Sequence, residues 1–562
     1  MFRTLWFHKL LGLRSRSVRR RQAAQNRRCV RLHLEGLEER VTPATLPFAT
    51  AANASELQQN ITFINGHTSQ AWSFNLQANT TFNLTAQQEL TAGANAKIIG
   101  LGGDVITPAL GSRAFKVDTG ATAEFDNLSI SGGKISATTA SPGGAGLWVA
   151  GGSVTLSNAS VTNNTVFTGN QSPLGGGILV TGAAKLTVAN SHIDDNQALG
   201  VMADGVTQVP AALPEGGGLF ILGGVINISN STLSNNKAVA GNNGIGAGGN
   251  ALGGGMFVSG ATSLLLTNLT VDGNVAQGGS GAVGGGQAQG GAFWFAGGGP
   301  IKLVGSTVTN NQAIGGNGGT GLGGNALGGA LFNTAGTTTA TTVLNSSFLA
   351  NKALGGNGAT GGTAFGGAIE QGAGAASKLN LLNSTLGQNT AQGGNGTTGA
   401  QGSGFGGGLS VGVLPPASGT VPQLFNNTIV FNQALNGTGA PAPGGGGGIW
   451  SPVAGLTNVT SALNNLVQGN TTNGVGPDVN AGGASIALPP FNITGGPILQ
   501  IAPATTTVNG LLVFPLLPNA TLAIKQGTTS VVGAIANAEG VTPANATDQV
   551  GNPRTTGGGT QI

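Results

Sequence analysis

From about Asn127 to Asn470 the chain alternates apolar and polar positions in short bursts, each ending at an asparagine. The stretch Leu344 to Ile369, LNSSFLANKALGGNGATGGTAFGGAI, shows the unit: an apolar strand, an Asn, a second Asn six residues on, a glycine-rich run, and a Gly-Gly-Ala-Ile strand start. Period-two alternation, as in Leu264 and Leu266 or Leu379 and Leu381, predicts strands with one face buried. The first Asn of the unit falls at Asn158, Asn190, Asn230, Asn268, Asn345, Asn383, Asn426 and Asn464, with Gly305 filling the slot after Asn268. The second falls at Asn164, Asn196, Asn236, Asn274, Asn311, Asn351, Asn389, Asn432 and Asn470. Three residues after the first slot stands an apolar residue: Val161, Ile193, Leu233, Val271, Val308, Phe348, Leu386, Ile429, Val467. Units run from 31 to 43 residues, mostly near 38, and such self-similarity marks a stacked repeat.

The inward register resumes at the third position after the first Asn, so the chain bends there, and Asn tolerates the left-handed backbone of a bend. Stacked copies of the second Asn are expected to hydrogen-bond from coil to coil as a ladder. Gly-Gly-apolar starts such as Gly218-Leu219 and Gly408-Leu409 open another strand where backbones approach closely. Three short strands per turn, stacked in parallel, predict an all-β fold, a right-handed parallel β-helix. Nine or ten coils at ~4.8 Å give a stack on the order of 45 Å. GGNALGG at 248–254 and 323–329, GGQAQGG at 285–291 and GGTAFGG at 361–367 place glycine-rich loops in register on one side, as close-packed turns or a flexible flank. They lack the strand–loop–helix context and lysine of a phosphate loop, and the Asp of a calcium-binding roll.

Four regions follow. Residues 1–44 read as a basic targeting leader and 45–125 as an N-terminal cap with the first coils. Residues 126–475 are the β-helix repeats, and 476–562 the C-terminal coils or cap. In the cap, Ser55-Glu56-Leu57-Gln58 predicts a short helix with Ser55 as N-cap. Strands are expected at Ile61–Ile64, Trp72–Leu76, Thr81–Leu84 and Lys97–Ile99, covering an open end that would otherwise aggregate.

Composition sharpens this. Charged residues make up 7%, glycine supplies 104 of 562 residues and tyrosine is missing, unlike an ordinary globular enzyme. The net charge of +4 belongs to the leader: 11 of the 22 Lys and Arg lie in residues 1–40, leaving 11 basic against 15 acidic residues in 41–562. That body has no basic stripe, so nucleic-acid binding is not expected. The one cysteine, Cys29, follows Asn26-Arg27-Arg28 rather than the residues of a lipid-anchor site. No apolar run of 18 residues free of Pro exists, so no transmembrane helix is predicted.

Leu34-Glu35-Gly36-Leu37-Glu38-Glu39-Arg40-Val41-Thr42-Pro43 resembles the LExLExRxxP leader of large secreted proteins of planctomycete-type bacteria. The alternative reading is a basic helix that binds RNA or membrane. Arg113 to Val117 and Phe125 to Gly133 resemble the first coils of bacterial right-handed β-helix proteins. Gly328 to Leu331 and Gly366 to Ile369, with Phe348-Leu349-Ala350-Asn351, resemble the GGA(I/L/V) and FxxN repeats of chlamydial polymorphic outer-membrane proteins, which implies a surface-exposed adhesin-like passenger. Asn464 to Val467, Gly476 to Val479, Leu516 to Pro518 and Asp548 to Arg554 resemble the end of choice-of-anchor β-helix proteins. That family continues to an acidic-aromatic strand and a sorting anchor. Here the chain stops at Ile562, which fits a truncated chain or one never anchored.

Right-handed β-helices also host pectate lyases and polygalacturonases, and fold alone cannot decide activity. Such chemistry needs clustered carboxylates, metal-bound Asp, or Arg against uronate charge. Arg113 and Arg554 are the only arginines after residue 40. The best candidate cluster is His192, Asp194 and Asp195, with Glu215 and Asp272 one and two coils away; Glu370 and Asp478 stand alone. Trp148, Trp294 and Trp450 follow Gly pairs and read as packing or as sugar-stacking platforms. The expectation is a non-catalytic secreted or cell-surface structural element, adhesin-like and outer-membrane associated. Its partners would be polysaccharide or cell-envelope components, with no cofactor or metal site. The alternative is a carbohydrate-active lyase or hydrolase with a groove near Asp194 and Asp195.

Overall fold

The computed structural model describes residues 44–481, apart from 69, 139, 141, 170, 203, 205, 210–211, 335–339, 373–377, 413–421, 440–442, 453–461, 464 and 474–477, and beyond them six short strands. The leader 1–43 and the segments 516–518 and 548–554 lie outside the described residues.

The cap helix spans Ala54–Gly66, not only the expected first turn, and its N-cap is Asn53 rather than Ser55. Asn53 Oδ1 accepts from Glu56 N at 3.1 Å while Glu56 Oε2 accepts from Ala52 N at 2.7 Å, a reciprocal cap that reaches one residue before the N-cap. Ile61 to Ile64, expected as a strand, is helical. Leu57, Asn60, Ile61 and Ile64 fall on one buried face at helical spacing, and that burial outweighs β-branched propensity. Strand Trp72–Leu76 forms as expected, and Thr81–Asn83 and Asn95–Ile99 differ from expectation by one or two residues.

The first two coils carry three wall strands, as expected, but from Lys134 onward each described coil carries four. One coil runs Val225–Ser229 (wall 1), Thr232–Ser234 (wall 2), Lys237–Val239 (wall 3), a glycine-rich excursion ending in the flank strand Ala251–Leu252, and Met256–Ala261 (wall 4). Among the described residues the four walls stack 13, 13, 10 and 13 strands, the last of wall 4 being antiparallel, and the flank five. Pairing between coils is parallel and in register, as in Ile193↔Leu233 and Val271↔Val308. The first-slot asparagines are left-handed, from Asn158 (φ 48°) to Asn426 (φ 56°), with Gly305 at 60°; Asn464 lies outside the described residues. The extra corner comes from the residue before each second Asn: Asn163, Asp195, Asn235, Gly273, Asn310, Ala350, Gln388, Phe431 and Gly469 all have φ between 54° and 67°. The second asparagines are therefore not bend residues. They point inward just past the bend.

That inward position makes the ladder. Nδ2 of each second Asn donates to Oδ1 of the next, from Asn164 to Asn196 (3.0 Å) through Asn311 to Asn351 (2.9 Å) to Asn432 to Asn470 (2.8 Å). The same Oδ1 accepts the backbone N–H of the preceding rung, as Asn311 N to Asn351 Oδ1 at 3.0 Å. The second amide hydrogen goes to a wall-2 carbonyl of the coil before, as Asn351 Nδ2 to Val308 O at 2.9 Å. Only a side chain with both donor and acceptor can do this, and full pairing avoids the ~1–3 kcal/mol cost of each buried orphan. Asp478 closes the ladder, its Oδ1 accepting from Asn470 N (2.8 Å) and Nδ2 (3.0 Å), so it does not stand alone. A second ladder was not expected: Ser191, Ser231, Ser306, Ser346 and Ser384, then Asn427 and Asn465, accept backbone N–H groups from the adjacent coil.

The core fills the space between walls with Leu, Val, Ile and Phe. Every third-position residue from Val161 to Val467 is at most 3% exposed. Wall 3 contributes Ala238, Ala276, Ala313, Ala353 and Ala391, facing flank residues Ala251, Ala288, Ala326 and Ala364 across a separate thin core. The glycine excursions are a bonded slab rather than a flexible flank. Backbone hydrogen bonds of 2.8–3.0 Å run Gly249 to Gly241, Gly279 to Gly249, Gly286 to Gly279, and on through Gly316, Gly324, Gly356, Gly362, Gly394 and Gly402 to Gly437. Glycine is required by close approach: a Cβ on Gly286 would sit 1.7 Å from Gly249 O, and one on Gly324 1.9 Å from Gly286 O.

Past Ala481 the expected further coils thin out. Ile493–Thr494 still pairs in parallel with wall 2, but Thr506–Val508 with Leu511–Val513, and Thr555–Thr556 with Gly559–Thr560, are antiparallel hairpins.

Candidate functional site

The sequence-predicted acids do not converge. His192 and Asp194 face outward on wall 2, where His192 Nδ1 lies 2.8 Å from Thr232 Oγ1 and the Thr232 hydroxyl donates to Asp194 Oδ2 at 2.7 Å. Asp194 Oδ1 also accepts from Ser234 N at 2.7 Å. These bonds tie one coil to the next along a flat sheet face. Asp195 is exposed, and its φ of 57° places it in the corner slot that Asn163 and Asn235 fill elsewhere. Asp272 accepts from Thr309 Oγ1 (2.6 Å) and Asn310 Nδ2 (2.8 Å), again between coils. Glu215 belongs to the flank line, bridging in parallel to Leu174 and Leu252, with wall 3 between it and His192 along the chain. Among the described residues no three His, Cys, Asp or Glu side chains group so as to hold a metal ion.

A different surface gathers the uncommon side chains. On wall 4 the second residue of each strand faces outward, and register stacks Lys116, Trp148, Leu179, Phe220, Phe257, Trp294, Phe332, Glu370, Ser410, Trp450 and Asn480 in one column. Phe220 stacks on Phe257 at 5.1 Å, Phe257 meets Trp294 edge-on at 4.7 Å, and Trp294 leans on Phe332 at 5.7 Å. The flank line runs beside it, and its Phe365 and Phe405 pack against Trp450 at 5.9 and 4.5 Å. The two lines meet at the sharp Gly-Gly corner, for example Gly366 at φ 62°. The three tryptophans keep half-buried faces, and two are pinned: Trp148 Nε1 donates to Thr181 Oγ1 at 2.9 Å and Trp294 Nε1 to Thr334 Oγ1 at 3.1 Å. Aligning the repeats on their Gly-Gly starts would have exposed this column in the sequence; reading the tryptophans singly hid it.

The ends of the column differ in charge. At the N-terminal end the Arg113 guanidinium lies 4.6 Å above Trp148 and Lys116 Nζ 5.3 Å away, with Lys116 held by Glu89 (2.6 Å) and Asp118 (2.9 Å). Burial lowers Arg113 to about 10, and hydrogen bonding to Glu89 raises Lys116. At the other end the lining is buried and polar. Glu370 Oε2, Ser410 Oγ and Asn480 Oδ1 have no hydrogen-bond partner, although all three residues are buried. Burial pushes Glu370 well above the usual carboxylate range, and Ser410 opposite it offsets little of that. Glu215, desolvated on the flank line, is pushed up to about 7.

Two protonatable carboxyls on adjacent lines suggest acid–base chemistry until their spacing is counted. Glu215 stacks through Leu252, Gln289 and Leu327 to Phe365, the flank residue of the Glu370 coil. Four coils at ~4.8 Å separate the two acids by roughly 19 Å along the stack. Glycoside hydrolysis needs its pair within about 5–9.5 Å.

Residues 106–313 match the family model for a right handed β-helix region. No curated protein resembles the chain closely enough to count as a match. Among solved structures, the catalytic domain of a GH87 α-1,3-glucanase in complex with nigerose is similar at 11% identity and a TM-score of 0.22, over 67% of this chain and 70% of that one. A likeness at that score carries no argument. No described helix is long and apolar enough to cross a membrane. Wall stacking, register and the matched region together make the chain a right-handed parallel β-helix repeat protein.

Proposed function

We propose that the chain is a non-catalytic structural β-helix of the cell surface or extracellular space, whose wall-4 column binds an extended polysaccharide. The aromatic column carries this reading. Tryptophans fixed by hydrogen bonds present stacking faces to sugar rings at little ordering cost. The separation of Glu215 from Glu370 supports binding over turnover. Native affinity electrophoresis in gels containing neutral or acidic polysaccharides tests it. Retardation by one polymer, weakened about 10-fold or more by Trp294→Ala or Trp450→Ala, is expected, equivalent to about 1.4 kcal/mol. No retardation by any envelope or extracellular polymer would sink the binding reading. Recovery of the native protein in the cytoplasmic fraction would sink the location.

The bonded series His192–Thr232–Asp194 favours a second reading, a carbohydrate-active enzyme working at wall 2. Turnover of pectin, alginate or a related polymer that disappears in both Asp194→Ala and His192→Ala would establish it.

A further inference from the structure

Three neighbouring coils carry apolar side chains on the outside of the solenoid. In wall 1, Val343, Leu381 and Leu424 point into the core, so Leu344, Leu382 and Phe425, next along each strand, point out. They are nevertheless only 1%, 4% and 7% exposed, and form a cluster separate from the core, with Val304 packed against it. Wall 2 repeats the pattern: Phe348 and Ile429 point in, Leu349 and Val430 point out, and the outward pair is 4% and 0% exposed. On earlier coils the same outward positions hold Ser157, Ala189, Ser229 and Thr267 in wall 1 and Thr162, Asp194, Ser234 and Thr309 in wall 2, all partly exposed. The change from polar to apolar begins at Val304 in wall 1 and is fullest in the coils of residues 341–430. An outward side chain on a single-layered wall loses its exposure only beneath another part of a chain.

The chain past Ala481 contains such a part. Residues 511–517 read Leu-Leu-Val-Phe-Pro-Leu-Leu, an apolar run that needs a surface to bury against. Its strand Leu511–Val513, paired with Thr506–Val508, lies against the wall-2 strand Ser347–Leu349. We infer that the paired strands Thr506–Val508 and Leu511–Val513 are a latch seated on the outward apolar strip of Leu344, Leu349, Leu382, Phe425 and Val430. The C-terminal segment then braces walls 1 and 2 instead of extending the stack, and it covers a strip that would otherwise join to a second copy. This rests on the packing of walls 1 and 2 and is independent of any ligand on wall 4.

The test cuts the latch from its tether. A specific protease site is placed between Gly495 and Gly496 of the full chain, the folded protein is cleaved, and the products are run on size exclusion with light scattering. The C-terminal fragment is expected to co-elute with the solenoid in the parent protein and to separate in the Leu382→Asp, Phe425→Asp double variant. ANS fluorescence of the parent solenoid should rise several-fold once the fragment is stripped from it. If the double variant loses its β-sheet circular dichroism, Leu512→Asp, which leaves the coils untouched, must release the fragment instead. Immediate loss of the fragment from the cleaved parent would overturn the inference, as would retention through Leu512→Asp. A doubled mass of the uncleaved protein, kept by the solenoid after the cleaved fragment has separated from it, would overturn the inference and assign the strip to a second copy.

Discussion

Replacing Asn351 in the middle of the ladder tests the principle that aligns the coils. Its side chain is fully buried and makes four hydrogen bonds: it accepts from Asn311 N (3.0 Å) and Asn311 Nδ2 (2.9 Å), and donates to Val308 O and Asn389 Oδ1 (both 2.9 Å). Asn351→Leu keeps the branching at Cγ, adds some bulk and removes all four. Asn311 Nδ2 retains Val271 O, and Asn389 Oδ1 retains Asn351 N, so Asn311 N is the group left wholly orphaned. One buried orphan at ~1–3 kcal/mol, plus about 1 kcal/mol for each further bond lost, less the gain from a buried apolar side chain, gives a destabilisation of roughly 3–5 kcal/mol. Asn351→Asp behaves differently. Its carboxylate can still accept from Asn311, but it faces Val308 O and Asn389 Oδ1 with no hydrogen to offer. Burial and these oxygens raise its folded pKa above the unfolded ~3.9, so its stability is greatest below that value and falls as pH rises through the folded pKa. Denaturant melts of parent and variants from pH 3.5 to 8 measure both effects, each variant referred to the parent at the same pH. A loss under 1 kcal/mol for the leucine variant, or no relative pH dependence for the aspartate variant, would refute the ladder as an aligning device. Asp478 is the natural control: as the last rung it need only accept, and an acid suits it there.

Further outcomes follow from the same structure. Gly324→Ala puts a methyl 1.9 Å from a carbonyl of the slab and should prevent folding or cost several kcal/mol, whereas Gly284→Ala, whose nearest neighbour is 3.6 Å away, should melt like the parent. Ala350 is left-handed (φ 56°) where other coils use Asn163, Asn235 and Asn310, so Ala350→Asn should raise stability by about 0.5–1 kcal/mol in equilibrium unfolding. Glu215 has a folded pKa of about 7 against the usual 4.5, so the folded state binds the extra proton between those values and stability declines as pH rises from 4.5 to 7. Glu215→Gln should remove that decline, at most ~3 kcal/mol, and a pH profile unchanged by the substitution would contradict the burial argument.

The sequence determined the repeat, the strand alternation, the left-handed first asparagine and the stacked second asparagine, because each is a local demand met once per coil by a residue with few substitutes. Nine copies in register made those demands readable without any contact map. The count of walls was not readable: residues as different as Asp195, Ala350, Gln388 and Phe431 adopt the second left-handed corner, so no residue type announces it. The serine ladder was hidden beside the more conspicuous asparagines. The glycine slab was read only as turns or a loose flank, since backbone-to-backbone bonds leave no side-chain signature. Candidate chemistry shows the sharpest division. His192, Asp194, Asp195 and Glu215 are close in sequence, but a coil closes only after some 40 residues, and that path put Glu215 on the flank, left His192 and Asp194 on wall 2 and set Asp195 at its corner. Trp148, Trp294 and Trp450, far apart in the chain, fell on one face because parallel register adds exactly one coil per repeat. In a solenoid, spacing along the chain decides the layer, and only the corners decide which side of the layer a residue faces.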